Sequence, residues 1–389
     1  NWDTRYTDAT VRPTMVGDMV QERKPLRKET EAVGHAVLAL YYYAGATDVY
    51  AETGDMALVT ALERIWGSVM RKMYVTGACG QTHHGASSRK DFVHEAFIAD
   101  YMMPNLTAYN ETCANICNAM FNYRMLGLKA ESKYADIMEL VLYNSALSGI
   151  GTDGKHYFYT NPLRRTHDQQ MDTTDQRTRA AYIPCFCCPP NLVRTIAKVS
   201  GWAYSLSDNG LAVNLYGANE LDTELLDGSP IQVTQETQYP WNGEIRLTLQ
   251  ECKAEPFDLM LRIPQWAKAG QILINGKKAE IEAKPGSYAT IGRSWTAGDV
   301  VTLELPMEPE LIIGHPRIEE VRNQAAIKRG PDVYCIESPD LPQDTSILDV
   351  YLPSNIELQE DNDPEFLGGL TSLIGQVLLH SVPNDSMYS

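Results

Sequence analysis

Apolar residues recur three and four positions apart along the first half of the chain, which is the spacing of amphipathic helices. Asp55 follows a Thr-Gly break and is suited to cap the second of these helices. Pro189 and Pro190 fit the first turn of the last one. The predicted helices cover residues 27–45, 56–73, 111–126, 132–147 and 189–206. Helix pairs with short connections predict a helical barrel or solenoid.

The hydrophobic pattern changes near Asp208. From Leu211 to Leu305, apolar and polar residues alternate in short runs separated by turn residues, which is typical of a β-sandwich. Asn275 and Gly276 form a hairpin-turn signal within it. We therefore predict a multidomain α+β chain with three parts. These are a helical domain over 1–207, a β-sandwich over 208–305 and a further, truncated β segment over 306–389.

The length and the net charge of the chain exclude several classes of protein. A chain of 389 residues is too long to fold around one ordinary hydrophobic core, so more than one domain is expected. The net charge of −17 excludes nucleic acid and anionic membranes as expected partners, because either needs a basic face. No apolar run reaches the roughly 18 residues of a membrane span. The first residues lack the basic and apolar regions of a signal peptide and lack an initiator Met, so a mature form or a fragment is expected.

Eight cysteines are present, and three of them occur in the segment Cys185-Phe186-Cys187-Cys188. Adjacent cysteines rarely form a disulfide with each other, because the ring is strained. A turn would let both thiols face one metal ion, and the following helix start favours thiolates. Buried, unreactive cysteines are the alternative.

A second segment, Tyr-Asn-Glu-Thr-Cys, allows two pairings. Cys113 and Cys117 are four residues apart and share a helix face. Glu111 and Cys113 are two apart and converge only if the helix begins between them. A structural role for Glu111 at the helix start and for Cys113 in the core is a third possibility.

Taken together, these segments resemble glycoside hydrolase family 127, the bacterial β-L-arabinofuranosidase family. The resemblance covers most of residues 27–220 and continues more weakly to about 340. The matching stretches are EAVGHAVLALYYYAG, HEAFIADYMMPN, AYNETCANICNAMFNYRML, YNSALSGI, YFYTNPL, CFCCPPN and LAVNLYGANEL. The resemblance implies an (α/α)6-type barrel, incomplete here because the usual N-terminal portion is absent, followed by β-sandwich domains.

The resemblance also implies a zinc site and two catalytic residues. The implied zinc ligands are one carboxylate and three thiolates, on Glu111, Cys113, Cys187 and Cys188. Cys187 is the implied nucleophile and Glu95 the implied acid/base. Cys117 is then only a neighbour on the same helix.

The implied chemistry is that of a retaining glycosidase in which a thiolate replaces one of the two usual carboxylates. Zinc keeps a coordinated thiol deprotonated at neutral pH. Cys187 would attack the anomeric carbon, and Glu95 would protonate the leaving oxygen and then activate water. That role requires a raised pKa for Glu95, from burial or from the anionic cluster. A solvated loop carboxylate is the alternative for Glu95.

Two further residues are expected to bind the sugar. His35 lies in the segment that lines the family's sugar site, although a lone His in an apolar pattern is often a core residue. Tyr159 matches a pocket tyrosine, with Tyr157 as the alternative because both lie on one strand face.

Three histidines precede Phe97 in a stretch that is longer than the commonest family form. They are His83, His84 and His94. They would tune specificity or be solvated. His84 and His94 are also a rival metal pair with Glu95.

The resemblance predicts release of L-arabinofuranose or a related sugar from plant cell-wall glycans. Some relatives act on aceric acid, so the sugar stays open. A glycan is therefore the expected partner, with a homodimer through the β domain, in a bacterial cytoplasm or periplasm. The rival function is a non-catalytic, zinc-stabilised carbohydrate-binding or scaffold protein. A lyase or epimerase would need a Tyr or His base beside an Arg, and no such pair stands out.

Overall fold

The computed structural model describes residues 17–84, 94–166, 177–253, 255–363, 365 and 369–379. Five α-helices occur in these residues. They are α1 Ala36–Thr53, α2 Met56–Met70, α3 Thr112–Lys129, α4 Ser132–Leu140 and α5 Cys188–Lys198. None of them is long and apolar enough to cross a bilayer.

The boundary between α1 and α2 follows from its capping residues. Gly54 adopts the left-handed conformation and its N–H bonds Tyr50 O at 2.8 Å, which ends α1. The Asp55 carboxylate accepts a hydrogen bond from the Ala57 N–H at 3.0 Å, which confirms the predicted N-cap.

The first helix is displaced from its predicted span of 27–45. Residues Leu26–Lys28 form only a short 3-10 turn, and α1 begins at Ala36. Gly34 has a φ of +78°, and a Cβ there would lie 1.9 Å from Asp18 O. This close approach to the chain interrupts the helical conformation, and periodicity alone does not reveal it.

The helical part packs around α3, whose side chains contact α1, α4 and α5. The helices meet in a largely apolar core, in which the hydrogen-bonded amide of Asn118 is also buried. Its central apolar members are Leu40, Tyr43, Leu62, Ile116 and Phe121. Closure of these helices into an (α/α)6 barrel stays a prediction.

A small antiparallel sheet crosses the helical part in the order β1-β3-β2. Its strands are β1 Gly34–His35, β2 Thr82–His84 and β3 His94–Phe97. His35 pairs with Ala96 in the register of β1 with β3. This sheet is not evident in the sequence pattern, and it places the start of α1 beside the strand that carries Glu95.

The β half contains a six-stranded and a four-stranded sheet. The strands of the larger sheet are β6 Asn219–Glu224, β7 Pro230–Thr237, β8 Glu244–Glu251, β10 Gln271–Ile274, β11 Lys277–Lys278 and β13 Val300–Glu304. Those of the smaller sheet are β4 Tyr204–Ser207, β5 Gly210–Val213, β9 Phe257–Ile263 and β12 Ser287–Arg293. Burial alternates along β7 and β8, and inward residues from both sheets form one apolar core.

Three smaller sheets follow toward the C-terminus. Their strands are β14 Pro309–Ile313, β15 Ala325–Arg329, β16 Asp332–Tyr334, β17 Val350–Tyr351, β18 Gln359–Asn362, β19 Thr371–Ile374 and β20 Leu378–Leu379. The chain thus has a helical part followed by β domains. The boundaries at 207 and 305 stay predictions.

A buried ionic network joins the helical part to the β-sandwich. Arg262 on β9 is fully buried and bonds Asp136 Oδ1 at 2.7 Å and the Glu139 carboxylate on α4. Tyr239 and Trp266 of the β half donate to Glu139 at 2.5 Å and 3.1 Å. Each buried charge is therefore paired and hydrogen-bonded, as burial requires.

Candidate active site and metal centre

Glu111 and Cys113 converge because α3 begins between them. Glu111 is the N-cap residue with φ −55° and ψ 134°, and the helix starts at Thr112. The Thr112 N–H bonds Tyr159 O at 2.9 Å, which attaches the helix start to the segment carrying Tyr159. Cys117 instead packs into the helical core. Of the two pairings that the spacing allows, the structure brings together Glu111 and Cys113.

The vicinal cysteines are positioned by the start of α5. Cys187 is the N-cap residue and Cys188 the first helical residue. A turn bond from the Cys187 N–H to Cys185 O, 3.0 Å long, shapes the segment before the helix. Pro189 and Pro190 stand in the first turn, where the missing N–H groups cost no helical bond. Packing of α5 on α3 then brings both cysteines to the first pair of residues.

Four ligand-type side chains meet at this point. The sulfurs of Cys187 and Cys188 each lie 3.5 Å from Glu111 Oε1 and 3.7 Å from each other. The donor atoms of these three residues and Cys113 all lie within 4.8 Å of one another. Tetrahedral ligands at about 2.3 Å from a metal stand roughly 3.8 Å apart. The spacing therefore suits a metal ion.

The buried carboxylate of Glu111 also suits such an ion. Its side chain is almost fully buried, and its Oε2 has no hydrogen-bond partner among the described residues. A buried carboxylate oxygen without a partner is costly. A cation at the centre of the cluster would satisfy it.

Without a metal, the four ligand groups differ in their pKa values. Hydrogen bonds from Cys187 and Cys188 lower the pKa of Cys113 to about 6. The hydrogen bond to Cys113 raises the pKa of Cys187. Burial raises the pKa of Cys188 and that of Glu111. The metal-free cluster thus holds its negative charge mainly on Cys113 and retains protons that a cation would displace.

Glu95 lies beside this cluster on β3. Its Oε2 is 2.8 Å from His35 Nε2, and its Oε1 accepts from the Tyr109 hydroxyl at 2.9 Å. Its side chain is 13% exposed, so it is not a solvated loop carboxylate. Ligand atoms of His35, Glu95 and Glu111 lie within 4.8 Å of one another. The two carboxylates therefore face a common space.

The backbone of Glu95 is strained. Its φ is +53° in the middle of an antiparallel strand pair. This left-handed conformation costs a non-glycine residue about 1–2 kcal/mol. Strain of this kind concentrates at functional positions, and here it aims a carboxylate at the cluster.

Tyr159 is the inward-facing tyrosine of its segment. Its hydroxyl lies 3.6 Å from Cys185 Sγ and 3.8 Å from Cys187 Sγ. The Tyr157 hydroxyl instead bonds Gly154 O at 3.1 Å on the outside. The two tyrosines face different ways because the segment forms only isolated β-bridges and no regular strand, and Tyr159 is the one beside the cluster.

One site residue, Tyr109, escaped the sequence analysis. It flanks the first cysteine segment, and its only signal was that adjacency. The side chains of three histidines that the sequence offered as candidates lie outside the described residues. These are His83, His84 and His94.

The sequence of the chain matches models of known protein families in three successive segments. Residues 3–201 match the β-L-arabinofuranosidase, GH127 catalytic domain, residues 210–307 match the GH127 middle domain, and residues 309–383 match the glycoside hydrolase family 127 C-terminal domain. The chain belongs to glycoside hydrolase family 127. The predicted membership is confirmed.

Individual proteins also resemble the chain over most of its length. It is 35% identical over 335 residues to a non-reducing end β-L-arabinofuranosidase of Bifidobacterium longum subsp. longum, covering 83% of this chain and 49% of that protein. A solved glycoside hydrolase is 42% identical with a TM-score of 0.91, covering 97% and 64% of the two chains. A GH127 β-L-arabinofuranosidase from Geobacillus stearothermophilus T6 is 36% identical with a TM-score of 0.87, covering 96% and 58%. The chain thus spans 49% to 64% of the length of these relatives.

Proposed function

We propose that the protein is a retaining glycoside hydrolase that releases L-arabinofuranose or a related sugar from plant cell-wall glycans. Membership of family 127 and the β-L-arabinofuranosidases among its relatives support this substrate class. The observation that carries the mechanism is a half-buried thiol, Cys187, inside a ligand cluster that a second carboxylate, Glu95, faces.

Zinc is the proposed metal. Its ligands would be the Glu111 carboxylate and the thiolates of Cys113, Cys187 and Cys188. Thiolates favour zinc over the hard cations, which prefer oxygen ligands. When bound, zinc would supply the charge that keeps these thiols deprotonated at neutral pH.

Exposure distinguishes the nucleophile from the other ligands. Cys113 and Cys188 are 4% and 1% exposed, whereas Cys187 is half-buried. A sugar ring can therefore approach the Cys187 sulfur and not the other two. The Tyr159 hydroxyl beside that sulfur is the proposed partner for a sugar hydroxyl.

Glu95 is the proposed acid/base. In the first step the Cys187 sulfur forms a bond to the anomeric carbon, the glycosidic C–O bond breaks, and Glu95 gives its proton to the departing oxygen. In the second step water attacks the same carbon, Glu95 takes a proton from that water, and the C–S bond breaks. His35 and Tyr109 hold the carboxylate in place, and His35 is also the proposed partner of a sugar hydroxyl.

A pair of cysteine variants tests this assignment. Cys187→Ala should abolish turnover of an aryl β-L-arabinofuranoside, because it removes the reacting sulfur. Cys117→Ala should keep most of the activity, because that buried thiol packs in the helical core. Equal losses in the two variants would contradict the assignment. Metal binding with no turnover in the wild-type chain would favour a non-catalytic, zinc-stabilised protein.

A further inference from the structure

Cys185 is the one cysteine of the segment 185–188 that has no part in the proposed mechanism. Its Sγ lies 4.0 Å from Cys187 Sγ and accepts a hydrogen bond from the Tyr159 hydroxyl at 3.6 Å. Like Cys187, it is partly exposed. A thiol that is not among the four proposed metal ligands therefore lies beside the proposed nucleophile, where solvent reaches both sulfurs.

The backbone between these two cysteines brings them close together. The Cys187 N–H bonds Cys185 O at 3.0 Å, which closes a three-residue turn. Such a turn places its first and third Cα atoms nearer to each other than an extended strand does, and a disulfide needs close Cα atoms. The two sulfurs would have to approach by only about 2 Å to reach the length of an S–S bond.

The other sulfurs near Cys187 are poorer disulfide partners. Cys188 Sγ lies 3.7 Å from Cys187 Sγ, but a disulfide between adjacent residues closes a strained ring. Cys188 and Cys113 are also only 1% and 4% exposed, so both are shielded from an oxidant in solution. Geometry and access therefore both favour Cys185 as the partner of the Cys187 sulfur.

We propose that Cys185 and Cys187 form an oxidative modification site, in which Cys185 is the resolving thiol that forms a disulfide with Cys187 when a peroxide reaches the site. Accessible cysteines that lie next to a second thiol are typical sites of reversible oxidation. The effect of this disulfide on turnover and on zinc binding rests on the proposed function, whereas its formation depends only on the two thiols.

Hydrogen peroxide is the oxidant, and the reaction has two steps. In the first step an S–O bond forms between Cys187 and one peroxide oxygen, the O–O bond breaks, and the other oxygen leaves as water with the thiol proton. In the second step the Cys185 sulfur attacks the Cys187 sulfur, the S–O bond breaks, and its oxygen leaves as water with the Cys185 proton. Two thiols and one peroxide thus give one disulfide and two waters.

The disulfide would inactivate the nucleophile reversibly. A sulfenic acid without a nearby thiol is oxidised further to a sulfinic acid, which thiol reductants do not reverse. Cys185 would therefore protect Cys187 from permanent loss. Because the disulfide removes one proposed zinc ligand, the oxidised chain should also release zinc to a chromogenic chelator and rebind it after reduction.

Differential alkylation of the wild-type chain tests the pairing and needs no variant. After brief treatment with dilute hydrogen peroxide, the free thiols are alkylated under denaturing conditions. The disulfide is then reduced with dithiothreitol, and the released thiols are alkylated with a second reagent. Tandem mass spectrometry should find the second label on Cys185 and Cys187 and the first label on Cys188. Any pattern in which Cys185 and Cys187 do not carry the second label together would overturn the proposal.

Cys185→Ser tests the resolving role, because it keeps the size of the side chain and removes its sulfur. Dithiothreitol should restore most of the turnover that the wild type loses to peroxide. In Cys185→Ser the loss should be permanent, because the oxidised Cys187 proceeds to the sulfinic acid. Each chain is compared with its own untreated rate. Recovery of Cys185→Ser to the wild-type extent would overturn the resolving role.

Cys252→Ser is the matched control. Its thiol is also partly exposed, but it packs against the β-sandwich core. This variant should lose and regain turnover as the wild type does, and a permanent loss here would overturn the assignment to Cys185. A reduced wild-type chain that does not hydrolyse an aryl β-L-arabinofuranoside would instead refute the proposed function, and the alkylation pattern would still decide whether Cys185 and Cys187 pair.

Discussion

Zinc affinity should rise steeply with pH, because the metal must displace protons from its ligands. In the metal-free cluster the pKa of Cys113 is lowered to about 6 by hydrogen bonds from Cys187 and Cys188, so this thiol is mostly ionised at neutral pH. Burial raises the pKa of Cys188 and of Glu111, and the hydrogen bond to Cys113 raises that of Cys187. These three groups retain protons that zinc must release.

The size of the effect follows from that proton count. Cys187 and Cys188 each lose one proton on metal binding, and Glu111 adds up to one more, so about two to three protons leave per zinc ion. The logarithm of the affinity should then rise with pH with a slope of about two to three. Each proton is worth about 1.36 kcal/mol per pH unit. Below the pKa of Cys113 the slope should increase by about one more, because that thiol is then protonated as well.

Chelator competition from about pH 6 to about pH 8, corrected for the protonation of the chelator, measures this slope. Cys117→Ala is the control, and its slope should match the wild type because Cys117 packs in the helical core. Glu111→Gln should weaken binding and reduce the slope by up to about one, since an amide releases no proton. A slope near zero in the wild type would show that the metal ligands are other groups or are already ionised in the metal-free protein.

Two further predictions concern the surroundings of the site, and a third concerns the buried network of Arg262. Glu95→Gly should be about 1 kcal/mol more stable to unfolding than Glu95→Ala and should melt at a higher temperature, because only glycine relieves a φ of +53°. Equal melting temperatures would show that the backbone of Glu95 is not strained. Tyr109→Phe should lower kcat about five- to tenfold with little change in KM, because Glu95 loses a donor worth about 1 kcal/mol; an unchanged kcat would remove Tyr109 from the mechanism. Glu139→Ala should lower the free energy of unfolding in urea by about 3 kcal/mol, because the buried positive charge of Arg262 loses one of its two carboxylate partners. A loss below about 1 kcal/mol would show that Asp136 alone is enough to balance this charge.

The sequence pattern predicted the parts of the fold that depend on local periodicity. The change to alternation near Asp208 anticipated the β half, and Asp55 was recognised as a helix cap. The start of α1 was missed because it depends on a tight contact between Gly34 and the distant Asp18 O, which leaves no trace in the apolar spacing. The small sheet that carries Glu95 was missed for a similar reason, since two- to four-residue strands are too short for a period.

The candidate site was also predictable from the sequence only in part. Residue types and spacing indicated that Cys187 and Cys188 could face one ion, and a helix start between Glu111 and Cys113 was the stated condition for their convergence. The convergence of the two segments was not readable from spacing, because it depends on the packing of α5 against α3. The bond between His35 and Glu95 likewise joins residues 60 positions apart in the sequence. Contacts between residues so far apart in the sequence can be found only from the tertiary structure.

Peptide mass mapping of Glu95→Ala after incubation with an aryl β-L-arabinofuranoside would show directly whether Cys187 is the nucleophile. An activated aryl leaving group needs little protonation, so Cys187 should still be glycosylated, whereas release should be slow without the base. The expected product is a peptide containing Cys187 that carries one added pentosyl unit, and azide should restore turnover. A pentosyl unit on another residue, or turnover by Glu95→Ala at the wild-type rate with no adduct, would contradict this assignment.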